Sequence, residues 1–275
     1  MARRAGVYCR KTVWRFGKGD TRMPYTDNRG CRIHYEVEGE GPPLVLQHGY
    51  TQNLRRWYQR GYVDALKSRF RLIAIDARGH GASDKPHERA AYAWPVIVED
   101  VVAVLDALGL ERVLYWGYSM GGSIGFGLAK HFPQRLRGLV IGGAFASPHP
   151  AGTALAGVDG SDPEAFVAAF EARVGNRFVP EVRSELLASD TRALAAAAQD
   201  RPSMEDVLPG LTLPCLLYAG DKDPFFPKAQ ASAQLIPGAT FVPLPGLGHS
   251  EAFIRSDLVL PHFERFAKTY GSKIA

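Results

Sequence analysis

Cysteine is scarce and long apolar runs are missing from this 275-residue chain, and each shortage removes a class of protein. The three cysteines, Cys9, Cys31 and Cys215, are odd in number and far apart. They offer neither a disulfide framework nor metal spacing, which predicts a reducing, cytoplasmic setting. No apolar stretch approaches the ~20 residues that span a bilayer, and the N-terminal arginines are not followed by the apolar segment of a secretion signal. No membrane partner is expected. Gly-rich loops with a P-loop or dinucleotide fingerprint are lacking, as is any histidine and carboxylate cluster with ligand spacing, so neither a cofactor nor a metal is expected. Repeats are absent too, and the one biased tract, Ala193 to Ala198, is a good helix former.

Acidic residues are the minority, and the net charge of +5 raises a nucleic-acid reading. That excess is local. Residues 1–22 hold seven basic side chains and one acidic one, which leaves the remainder nearly neutral. The expectation is a basic, mobile N-terminal extension over 1–22, a compact domain from Met23 onward, and no nucleic-acid partner. With 46% apolar residues the chain has enough to bury one large core.

The rest is arranged about Gly117-Tyr118-Ser119-Met120-Gly121-Gly122. The run Val113–Trp116 reads as a buried strand and Ser123–Phe132 as a helix, which places Ser119 on the sharp turn between them. A nucleophile on so tight a bend needs neighbours without a bulky Cβ two positions either side, and Gly117 and Gly121 supply them.

Strands are also read at Arg32–Val37, Leu44–Gln47, Arg71–Asp76, Leu139–Ile141, Cys215–Tyr218 and Thr240–Val242. Helices are read at 53–67, from Pro95 to a cap at Gly109, near 228–236 and near 252–268. Apolar strands alternating with amphipathic helices predict an α/β fold with a mostly parallel sheet covered on both faces. In such sheets chemistry gathers at the carboxyl ends of the strands.

A serine nucleophile needs a base, and the base needs an orienting group. Two candidates follow strand ends: Asp223 in Gly220-Asp221-Lys222-Asp223, and His249 in Gly248-His249-Ser250. The order Ser, Asp, His matches that of α/β-hydrolases. With His48-Gly49, Asp76-x-Arg78-Gly79-His80-Gly81-x-Ser83 and the Ser119 turn, these motifs make the sequence resemble the α/β-hydrolase superfamily from about Arg32 to the end.

That resemblance implies Ser119 as nucleophile, His249 as general base and then acid, and Asp223, rather than the turn residue Asp221, as its partner. It implies an oxyanion hole from the backbone N–H groups of Tyr50 and Met120, with His48 bracing that loop. It assigns residues 23–145 and 212–275 to an eight-stranded-type hydrolase core and 146–211 to a helical cap over the site. Tyr50, Phe145, Phe166, Phe170 and Phe225 are the candidate substrate-lining residues. Arg78 and His80 are expected to be structural, and His34, His87, His131 and His262 to be surface or capping residues.

No basic cluster stands out in the cap, although Arg173, Arg177 or Arg183 offers an anchor, so a neutral, largely apolar ester or lactone of small to medium size is expected. Haloalkane dehalogenases and epoxide hydrolases of this fold carry aspartate at the elbow, and serine here departs from both. The elbow resembles those of enol-lactonases and cofactor-free haloperoxidases. Perhydrolase, thioesterase and carbon–carbon bond hydrolase use the same triad, and a non-catalytic receptor on this fold is the alternative of another class.

Overall fold

The computed structural model describes residues 24–175 and 177–274. The expectation for residues 1–22 lies outside the described residues. Eight strands form one sheet: β1 (Tyr25–Asn28), β2 (Cys31–Glu38), β3 (Pro43–Gln47), β4 (Arg71–Ile75), β5 (Val113–Tyr118), β6 (Leu136–Gly142), β7 (Cys215–Gly220) and β8 (Thr240–Leu244). Their spatial order is β1-β2-β4-β3-β5-β6-β7-β8. β1 and β2 are antiparallel at one edge, and from β4 to β8 every neighbouring pair is parallel. This is the doubly covered, mostly parallel α/β sheet that the sequence predicts.

Ten α-helices accompany the sheet among the described residues: α1 (Arg55–Gln59), α2 (Tyr62–Leu66), α3 (Trp94–Ala107), α4 (Met120–His131), α5 (Pro163–Val174), α6 (Pro180–Leu187), α7 (Thr191–Ala197), α8 (Phe226–Gln234), α9 (Glu251–Ile254) and α10 (Ser256–Ile274). None is long and apolar enough to cross a membrane. The helix expected over 53–67 is broken. Gly61 takes a left-handed φ of 76° and divides it into α1 and α2, a conformation that glycine adopts without steric cost.

Strand alternation sends successive side chains to opposite faces. Val45, Ile73, Ile75 and Tyr115 pack under α3 and α4 in one cluster. Leu44, Leu46, Leu72, Leu114 and Trp116 pack on the other face under α1, α2, α9 and α10. There Trp116 stacks on Phe263 with ring centroids 4.5 Å apart and meets Trp57 edge-on at 5.7 Å. Between β6 and β7 the chain leaves the sheet and builds α5, α6 and α7, which share a third cluster containing Leu155, Phe166, Val167, Leu186 and Leu194.

The order reverses between β3 and β5, because the chain steps from β3 to β4 on one side and then crosses to β5 on the other. The crevice at the carboxyl ends of β3 and β5 is therefore the natural ligand position. Two glycines let β5 turn there. A Cβ at Gly117 would lie 2.2 Å from the Gly121 carbonyl oxygen, and one at Gly121 would lie 2.2 Å from the Gln47 carbonyl oxygen. Both obstacles are backbone and neither can swing away. Gly121→Ala is expected to cost about 3 kcal/mol or more, roughly 6–12 °C in Tm. Gly210→Ala, which meets nothing within 4 Å, serves as the control, and equal melting of the two variants would contradict this packing.

Candidate active site

β5 ends at Tyr118 and α4 begins at Met120, so Ser119 occupies the single residue between them. Its φ of 53° and ψ of −111° are unusual for a residue with a Cβ. The Ser119 N–H donates to the Gly142 carbonyl at 2.8 Å, and its own carbonyl accepts from Ser123 at 3.0 Å, which tie the turn to β6 and to α4.

His249 follows β8, and its Nε2 lies 2.9 Å from the Ser119 Oγ. Its Nδ1 lies 2.6 Å from an oxygen of Asp223, which follows β7. A carboxylate there fixes the ring proton on Nδ1 and leaves the Nε2 lone pair facing the serine hydroxyl. Asp223 is buried, and its other oxygen accepts the Phe225 N–H at 2.8 Å. Asp221 points elsewhere and accepts the Gly246 N–H at 2.8 Å across to the next loop. The Tyr118 hydroxyl donates to the His249 carbonyl.

The loop after β3 passes against this turn, since a Cβ at Gly49 would sit 3.4 Å from the Ser119 Cβ. The N–H groups of Tyr50 and Met120 donate to no other described residue. The Met120 N–H also opens α4, where the helix dipole favours negative charge. The Tyr50 hydroxyl donates to the Leu194 carbonyl of α7 at 2.7 Å, and its ring meets Phe170 edge-on at 5.5 Å.

Two buried histidines hold the loop. The Ala77 N–H donates to His48 Nε2 at 3.0 Å, so Nδ1 carries the proton and donates to the Gly49 carbonyl at 2.8 Å. The Thr51 N–H donates to His80 Nε2 at 3.2 Å, and Nδ1 of that ring donates to the Arg78 carbonyl at 2.9 Å. Thr51 needs such support: its φ of 65° is a strained value for a β-branched residue. Arg78 is itself buried in a two-bonded pair with Asp100, at 3.0 and 2.7 Å.

Several expectations need correction. His34 is not a surface residue: it is 2% exposed and pairs through Nδ1 with Asp76 at 2.8 Å. Asp76 also accepts the Leu54 and Ala82 N–H groups, a buried hub that strand alternation alone does not reveal. Phe166 does not line the site, because it has no exposed surface and belongs to the cluster shared by α5 to α7. Phe170 faces Tyr50 instead, while Phe225 meets His249 edge-on at 5.3 Å and Phe145 meets Phe225 at 5.2 Å.

The expectation of no basic cluster also fails. Arg173 bonds His149 at 3.0 Å, and an antiparallel bridge pairs His149 with Arg201. Neither His149 nor Arg201 was singled out from the sequence, where nothing in their spacing links the two ends of the inserted segment. Arg177 is exposed, and Arg183 pairs with Glu164.

Burial, reinforced by His48, holds His80 down at about 3 against an ordinary 6.5. In the unfolded chain it takes up a proton below about 6.5, whereas in the folded chain it stays neutral until about 3. Stability from this ring is complete above that window and declines as pH falls through it, by up to about 1.4 kcal/mol per pH unit. Urea midpoints measured from pH 7 to 4.5 are expected to fall less steeply in His80→Gln than in the wild type; parallel slopes would count against a neutral, buried His80.

The model for the alpha/beta hydrolase fold family matches residues 42–212. Bifunctional epoxide hydrolase 2 of Sus scrofa is 34% identical over 109 residues, which are 39% of this chain and 19% of that protein. The chain spans between 19% and 46% of the length of the first curated relatives it matches. Among solved structures, Est816, described as an N-acyl homoserine lactone degrading enzyme, is 29% identical with a TM-score of 0.71 over 88% of this chain and 100% of its own. The esterase RhEst1 of Rhodococcus sp. ECU1013 is 26% identical with a TM-score of 0.73 over 89% and 97%. A family match over more than half of the sequence, together with this sheet and this turn, places the chain in the α/β-hydrolase fold family.

Proposed function

We propose that the protein is a serine hydrolase that cleaves a carboxylic ester or lactone through an acyl-enzyme on Ser119. The observation that carries the reading is the continuous line from Ser119 Oγ through both nitrogens of His249 to Asp223, at 2.9 and 2.6 Å. Its likeness to Est816 and RhEst1, described as a lactone-degrading enzyme and an esterase, supports the same class. The epoxide hydrolase among the relatives points to a different electrophile. A serine that has an imidazole to take its proton suits a carbonyl carbon, where the attack creates an oxyanion that amides can hold.

In this mechanism His249 Nε2 removes the Ser119 proton as Oγ attacks the carbonyl carbon. The carbonyl oxygen becomes an anion and accepts from the Tyr50 and Met120 N–H groups. Collapse breaks the carbon–oxygen bond, and the leaving alkoxide takes the proton from Nε2. Water then yields a proton to Nε2 and attacks the acyl carbon, and the second collapse returns that proton to Ser119 and frees the acid. Asp223 accepts from Nδ1 throughout and holds the ring's tautomer. Tyr50, Phe145, Phe170 and Phe225 line the acyl or alcohol side of the site.

Hydrolysis of p-nitrophenyl esters from acetyl to dodecanoyl is the direct test. Ser119→Ala is expected to lower kcat by about 10^4-fold or more while melting as the wild type does. Normal turnover in that variant would refute the assignment. Asp223→Asn is expected to lower kcat by about 10^3–10^4-fold and Asp221→Asn by only a few-fold. The reverse ranking would move the orienting role to Asp221.

A further inference from the structure

Several of the buried or half-buried arginines among the described residues are paired with carboxylates. Arg78, 4% exposed, is neutralised by Asp100. Arg135 pairs with Asp106 at 2.8 Å and Arg56 with Glu185. Arg173 and Arg201 have no carboxylate partner among the described residues. Arg201 donates from Nη1 to the Ser123 hydroxyl at 2.7 Å and lies over the Trp94 ring at 5.8 Å. Arg173 donates to His149 Nε2 at 3.0 Å, a neutral ring. Burial and the surrounding cations Arg201, Arg173 and Lys228 push His149 down to about 4, so it carries no compensating charge and adds none. Burial and repulsion from Arg173 lower Arg201 to about 10, whereas Arg78 is raised by its Asp100 partner.

Their position is not arbitrary. The His149 and Arg201 main chains exchange two hydrogen bonds, at 3.1 and 2.9 Å. Directly paired residues in such a bridge project to the same side, so the two side chains are neighbours. Arg201 reaches Ser123, which is one turn of α4 beyond Ser119 and whose N–H bonds the Ser119 carbonyl. From the other side, His149 meets Phe225 at 5.4 Å, and Phe225 meets His249 at 5.3 Å. The cationic pair therefore flanks the Ser119–His249 centre rather than a remote surface. Arg173 and Arg201 are both half-buried rather than fully enclosed.

A desolvated cation pair without a counter-charge is costly, and a carboxylate held by two guanidinium groups relieves it. We propose that Arg173 and Arg201 bind a carboxylate of the substrate, which makes the natural ester or lactone an anionic one, such as a dicarboxylic half-ester or a lactone acid. The inference rests on the hydrolase reading for its chemistry and on the arginines alone for its charge. The neutral substrate expected from the sequence is thereby replaced.

The test compares monomethyl glutarate with dimethyl glutarate, which present the same ester with and without the charge. In the wild type kcat/KM is expected to favour the half-ester. In Arg173→Gln and in Arg201→Gln the half-ester to diester ratio is expected to fall by roughly 30-fold, the loss of one charge-assisted contact. Binding of both compounds to Ser119→Ala is measured by calorimetry alongside, since this reports on the anion site without requiring turnover. Half-ester binding that is lost on adding Arg173→Gln upholds the proposal even if no ester is hydrolysed, and in that case the hydrolase reading alone fails. Equal affinity of Ser119→Ala for half-ester and diester, or a ratio that shifts by less than about 3-fold in a folded Arg173→Gln, would overturn the proposal. Should Arg201→Gln not fold, Arg173→Gln and the binding comparison decide.

Discussion

Everything in the site depends on one backbone constraint, the left-handed φ of 53° that Ser119 adopts between a buried strand and a buried helix. Such a residue costs of order 1–3 kcal/mol and persists only where its surroundings over-determine it. Here they do. The Gly142 carbonyl holds its N–H, Ser123 holds its carbonyl, and two glycines let the backbone of β3, β5 and α4 close to distances that no Cβ would permit. The turn sets the Ser119 hydroxyl between β5 and the N-terminus of α4, where the strand order reverses.

A second layer of polar groups carries that geometry outward. Asp76 gathers His34, Leu54 and Ala82, and His48 and His80 tie the following loop to residues 77 and 78. His48 and His80 each use one nitrogen as donor and one as acceptor, so the neutral ring is the form that fits, and burial keeps it neutral. Thr51, at a left-handed φ of its own, is pinned by His80 in the loop whose Gly49 lies against Ser119. From Tyr50 the chain of contacts continues to α7 through the Leu194 carbonyl and to α5 through Phe170. The inserted helices are thus joined to the loop that lies against Ser119.

The fold was legible because its signals are local. Apolar strands, helical periodicity and the glycine pair about Ser119 each declare themselves within a few residues, and Asp223 and His249 announce themselves by following strands directly. What escaped is what only folding brings together. The burial of His34 against Asp76 and the inward packing of Phe166 depend on neighbours distant in sequence. The Arg173–His149–Arg201 grouping is the clearest case. A backbone bridge between the two ends of the inserted segment creates it, and no spacing in the sequence encodes that bridge.

Covalent capture of the nucleophile tests the account most directly. Diethyl p-nitrophenyl phosphate presents a phosphorus that a serine activated by His249 attacks, and the diethylphosphoryl group it leaves is slow to hydrolyse. Peptide mapping by mass spectrometry after incubation with a stoichiometric amount is predicted to place that group on Ser119, with ester hydrolysis lost in proportion to labelling. A label on another residue, or full ester hydrolysis by protein labelled at Ser119, would contradict it.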